Sequence, residues 1–197
     1  MKKLIFLIIA CITSHVFSQN INLSKAFVRT CFNNQQCFAL NEAAFIYYNE
    51  NNHELSIVLD FSKLKIDNDT LDAWLEDLDD TKLIFRGNLN TDNLLILTHH
   101  NSKAIIVNGI ITFNNIAHAH SIELTMFEIK ENSLLYNNNS QDYYDRLSAN
   151  LQFAFSPKEF KVDKKEHRLK KTISIAIYRG LINKYKPELE LFYLKNN

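Results

Sequence analysis

The chain is poor in the residues that build loops and frameworks. It has 3 glycines and 2 prolines in 197 residues, which excludes collagen-like and low-complexity architectures. Its 3 cysteines are too few for a disulfide-dense scaffold. With so little glycine, no G-x-S-x-G elbow, phosphate loop or dinucleotide fingerprint occurs. Charge of one sign is also missing: 22 basic residues balance 22 acidic ones, without the basic excess a nucleic-acid surface needs. After the N-terminus no apolar run is long enough to cross a bilayer as a helix. Scattered Asp, Ser and His residues are not brought together by spacing. The residue chemistry therefore points to no reaction and no cofactor, and the chain reads as a non-enzyme.

What is present begins with an export signal. Met1-Lys2-Lys3 is a basic start, Leu4 to Ile12 an apolar stretch, and Val16-Phe17-Ser18 a cleavage region. Residues 1–18 are expected to leave, and residues 19–197 to form one domain. Ile8-Ile9-Ala10-Cys11 resembles a lipoprotein box, but the apolar stretch before Cys11 is short, so lipid attachment there is not expected. The mature chain keeps Cys31 and Cys37. An even pair in an exported protein is expected to form a disulfide around the loop between them; free thiols are the competing reading.

The remainder reads as strands. Between Ala104 and Ile129, Ile105, Val107, Ile111 and Phe113 share one parity, and Ile122, Leu124 and Met126 repeat it after Asn114-Asn115. That pattern predicts a half-buried antiparallel hairpin. Gly109 inside its first arm suggests a bulge or bend. Further strands are expected at Ala26–Arg29, Cys37–Leu40, Ala43–Tyr48, Leu55–Phe61, Leu83–Phe85, Leu94–Leu97, Leu151–Phe155, Ile173–Ile177 and Leu189–Tyr193. Asn-rich turns separate several of them. Leu71, Trp74, Leu75 and Leu78 follow helical spacing and predict one short helix over 69–80, with Trp74 plugging an end of the sheet. Residues 130–144 are polar and aperiodic, as a loop or lid is. Many short strands with one short helix indicate an all-β sandwich or an antiparallel β-barrel.

The order of these segments resembles the YceI-like family of exported bacterial β-barrels. Leu55–Phe61 and Asp69–Asp80 are similar to its middle strand and short acidic-apolar helix, and Leu83-Ile-Phe-Arg-Gly87 to the strand that follows. Val107-Asn-Gly109-Ile-Ile-Thr-Phe113 resembles its v-x-G-x-L-T-x hairpin arm, and Leu151–Phe160 and Thr172–Tyr178 its last strands. Ala43–Tyr48 lacks the histidine that the family's early strand usually carries. The resemblance implies a lipocalin-like barrel and, from some family members, a long isoprenoid chain held inside it.

The expected function is non-covalent carriage of a hydrophobic small molecule, a lipid or isoprenoid, in a periplasmic or secreted protein. Its interior would be lined by Leu55, Ile57, Leu59, Phe113, Leu124, Phe153, Phe155 and Ile175, binding mainly by apolar burial. The alternative is an envelope interaction or scaffold protein whose barrel is filled by its own side chains. Association into a homodimer is left open. His99-His100 and His118-x-His120 raise a metal reading, since His118 and His120 share a strand face. With no carboxylate or cysteine placed beside them, an exposed pair is the simpler expectation, and no metal is assigned. Asp67 to Asp72 begins like a calcium loop but lacks its glycine and distal glutamate.

Overall fold

The computed structural model describes residues 22–32, 35–65, 75, 76, 78–89, 104–128, 147–162, 172–184 and 187, with the backbone alone for 31, 32, 35–38 and 128. The expected signal at 1–18, the strands at Leu94–Leu97 and Leu189–Tyr193, His99, His100, Trp74 and the 130–144 segment lie outside these residues.

The strands are β1 (Ser24–Phe32), β2 (Gln35–Asn49), β3 (Glu54–Asp60), β4 (Leu64–Lys65), β5 (Lys82–Asn88), β6 (Ala104–Phe113), β7 (Ile116–Glu128), β8 (Leu147–Phe155) and β9 (Ile173–Lys184). They form one sheet in the order β1-β9-β8-β7-β6-β5-β3-β2-β4. Extra pairings of β2 with β1 and with β9 close it. Among the described residues, eight long strands make an antiparallel β-barrel. A parallel contact sets Ile46 beside Ile182 and Tyr48 beside Lys184.

The central hairpin forms as its periodicity predicts. Asn114 and Asn115 adopt φ of 50° and 60°, the left-handed pair that a two-residue hairpin turn requires and that asparagine tolerates. All ten residues of β6 pair with β7 in unbroken register from Phe113↔Ile116 to Ala104↔Thr125. Gly109 therefore marks no bulge. It sits opposite Gly87 of β5, and a Cβ there would lie 2.2 Å from the Arg86 carbonyl oxygen. The glycine is needed for close approach of two backbones.

One further expectation is revised. Cys37–Leu40 and Ala43–Tyr48 are one continuous strand, because the buried Asn41 between them is satisfied. Its Nδ2 donates to the Asp60 carbonyl at 2.6 Å and its Oδ1 accepts from the Ala43 amide at 2.7 Å. The β1–β2 register sets Cys31 opposite Gln36 and Cys37 opposite Thr30. The two cysteines thus lie on adjacent strands, one residue out of register with each other. Of the expected helix, Leu75 and Glu76 are described and are helical, and Leu75 and Leu78 pack against the core.

The sheet is not one-sided throughout. Leu55, Ile57 and Leu59 of β3 are buried, as expected, but so are Ser56 and Val58 on its other face. Across the ladder, Phe45 pairs with Val58 and Tyr47 with Ser56, and these rings are buried as well. Ser56 tolerates burial because its hydroxyl donates to Glu54 Oε1 at 3.1 Å.

Candidate functional site: the barrel interior

Alternation along each strand sends one set of side chains inward. The eight residues expected to line the interior all belong to one apolar cluster. Seven of them are at most 2% exposed, and Phe153 is 7% exposed. The structure brings together every one of them. It also shows that they touch neighbours: the wall residues themselves occupy the space around them.

Two interior phenylalanines come from turns. Phe61, from the 3-10 turn Phe61–Lys63 after β3, lies 4.9 Å from the Phe113 ring. Phe160, from the turn after β8, meets Phe113 at 6.0 Å and Phe155 at 5.2 Å. Both are within 1% of full burial, so four phenylalanines close one end of the barrel. Phe61 keeps the parity of Leu55, Ile57 and Leu59, whereas Phe160 belongs to no alternating run and periodicity offers no signal for it. Phe85 is fully buried in the same cluster. A Cβ at Gly87 or at Gly109 would meet its Cζ at 2.7 Å, so the ring lies over the glycine pair.

The opposite end is held by polar contacts. The Tyr48 hydroxyl lies 3.2 Å from His53 Nδ1 and donates to the Leu89 carbonyl at 3.2 Å. The Leu89 amide donates to the His53 carbonyl at 2.8 Å. Burial pushes the Tyr48 pKa up from its ordinary value, and the Glu50 charge adds to this.

His118 and His120 share the inner parity of Ile122 and Leu124, opposite Ile111 and Gly109. They are not a bare solvent pair. His118 is exposed, yet its Nε2–H donates to the Glu159 carbonyl at 2.8 Å and its ring meets Phe160 at 5.2 Å. His120 is half-buried against Phe153 at 6.3 Å. Among the described residues no group of three His, Cys, Asp or Glu side chains converges.

Outside the barrel, Phe27 and Tyr178 stand 49% and 59% exposed, with ring centroids 5.9 Å apart. They border a shallow trough of about 480 Å³ across β1, β9 and β8, with Arg29, Gln152 and Ser174 on its walls.

No family model and no curated protein sequence matches this chain. Solved structures do. A polyisoprenoid-binding domain from Saccharophagus degradans, implicated in plant cell wall breakdown, superposes with a TM-score of 0.57 at 7% identity, covering 80% of this chain and 96% of that one. The fold is YceI-like. BcnA from Burkholderia cenocepacia aligns at 9% identity over 77% of this chain and 93% of its own, with a TM-score of 0.48. A mutant CJ YceI protein carrying a monobromobimane guest aligns at 11% identity over 68% and 78%, with a TM-score of 0.39. At such identities the likeness extends to the YceI-like barrel and to no residue of a site.

Proposed function

We propose that this chain is a divergent YceI-like protein, exported after loss of residues 1–18, that binds an apolar lipid- or isoprenoid-like molecule in its barrel without chemical conversion. The observation that carries the reading is the fold it shares with a polyisoprenoid-binding domain over 80% of its length. The character of the interior supports it. The inner wall is built from aliphatic and phenyl side chains, which gain about 25 cal/mol for each Å² of ligand area removed from water. Since the wall residues are packed against one another, a ligand enters only as side chains rotate aside, and its affinity is reduced by that cost.

The sealed wall favours a second reading, a scaffold protein with a self-filled barrel. Native mass spectrometry of the protein purified from its own cells, with solvent extraction of the same sample, separates the two. A co-purifying apolar molecule at one per chain supports the carrier. A bare mass, with no uptake of added polyprenol or fatty acid, leaves the scaffold.

A further inference from the structure

The barrel wall is not evenly closed. β7 and β8 pair from Glu128↔Leu147 to Glu123↔Gln152, and there the ladder ends. Both strands continue. β7 runs back to Ile116, paired with β6 alone, and β8 runs on to Phe155, paired with β9 alone. For residues 116–122 and 153–155 the two strands therefore lie side by side without cross-strand bonding, which leaves a seam in the wall.

Side chains rather than backbone seal this seam. The turn after β8 folds back so that Phe160 rests on Phe113 and Phe155. His118, from the β7 side, covers Phe160 edge-on and holds the Glu159 carbonyl. Asn114, at the hairpin tip, donates from Nδ2 to the Phe160 carbonyl at 3.3 Å, while its Oδ1 accepts from the Asp79 amide at 2.9 Å. His120 lies over Phe153, and Phe153, at 7%, is the most exposed of the buried apolar residues.

An unbonded pair of strand segments opens at less cost than a laddered one, because no backbone hydrogen bond has to break. We propose that the β7–β8 seam is the entry to the barrel interior. Phe160 is its stopper, and His118 and Asn114 are the latches that hold the stopper's backbone. The inference rests on the carrier reading for its purpose, but the seam itself is tested without any ligand.

Two measurements on the full chain decide it. Hydrogen exchange in the wild-type protein is expected to be at least tenfold faster in 116–122 and 153–160 than in 123–127 and 147–152, and faster still in Phe160→Ala. Stopped-flow uptake of cis-parinaric acid, a fluorescent apolar chain, is expected to speed up at least tenfold in Phe160→Ala. Ile106→Ala, on the outer face of β6, should leave it unchanged. If Phe160→Ala does not fold, His118→Ala combined with Asn114→Gly removes the latches, and glycine keeps the positive φ of that turn. Even protection across both halves of β7 and β8 overturns the seam. Uptake that is equal in wild-type and latch variants overturns its role as the entry. If no variant takes up parinaric acid, the carrier reading fails, and the seam stands or falls on the exchange data alone.

Discussion

Asn183 and Ile46 join the two ends of the sheet. The Asn183 Nδ2 donates to the Ile46 carbonyl at 2.9 Å where β2 and β9 run parallel, and also to the Asn22 carbonyl at 3.0 Å. Its Oδ1 accepts from the Asn22 amide at 3.0 Å. One carboxamide thus ties the start of the described chain to the closing strand pair. Asn183 is 6% exposed, so its removal strands buried partners. Asn183→Ala is expected to lower unfolding stability by roughly 2–3 kcal/mol. Asn52→Ala, which removes only an exposed bond to the Glu54 amide, should cost under about 0.5 kcal/mol. Urea denaturation with an unchanged m-value checks both, and equal midpoints would refute the closure role of Asn183.

Charge tolerance should distinguish the two kinds of wall. Ile57 faces the interior, and Ser56 is buried on the other face with its hydroxyl on Glu54. Ile57→Asp and Ser56→Asp are both expected to cost several kcal/mol, the second worsened by the neighbouring carboxylate. Gln152, on the exposed face of β8, bonds Glu123 Oε2 at 3.2 Å. Gln152→Lys should stay within about 0.5 kcal/mol of wild type. A mild Ser56→Asp would mean that water reaches the outer face of β3.

The contrast between these positions shows what a sequence of this kind reveals. Period-two spacing locates Leu55, Ile57, Phe113, Leu124, Phe155 and Ile175 on inner walls, because alternation is a geometric property of a strand. It says nothing of a second face covered by other parts of the molecule, and so Ser56 looks exposed. Nor does it find Phe160, whose turn has no period. The break expected between Leu40 and Ala43 closes because two backbone groups satisfy the Asn41 amide. The interior was therefore legible as a wall, but the way its ends close was not.

Gly109 and Gly87 provide a test of close packing. A Cβ at Gly109 would meet backbone, the Arg86 oxygen at 2.2 Å and Gly87 Cα at 2.7 Å. At Gly87 it would meet only side chains, Phe85 at 2.7 Å and Val107 Cγ1 at 2.8 Å. Gly109→Ala is expected to cost about 3 kcal/mol or to prevent folding, since strands cannot separate locally without losing their ladder. Gly87→Ala should cost about 1–2 kcal/mol and be partly rescued by Phe85→Leu, which vacates the space. Thermal melts of the three variants and the double mutant measure this. An additive double mutant would show that the Phe85 ring does not rest on the glycine pair.

Tyr48 should give the fold an alkaline limit. Its pKa is raised in the folded protein, first by burial and then by the Glu50 charge. The neutral phenol is thus favoured in the fold over the unfolded chain, where tyrosine titrates near about 10. By linkage, the stability this group contributes is fully present below that value. As pH rises beyond it, the unfolded chain releases a proton that the folded one retains, and stability falls until the folded pKa is passed. The hydroxyl's bond to the Leu89 carbonyl needs the same proton. Tyr48→Phe loses that bond and should be about 1 kcal/mol less stable at neutral pH. Its urea midpoint should then decline less steeply between about pH 9 and 11 than that of the wild type. Parallel declines would show that other groups set the alkaline limit and that Tyr48 titrates alike in both states.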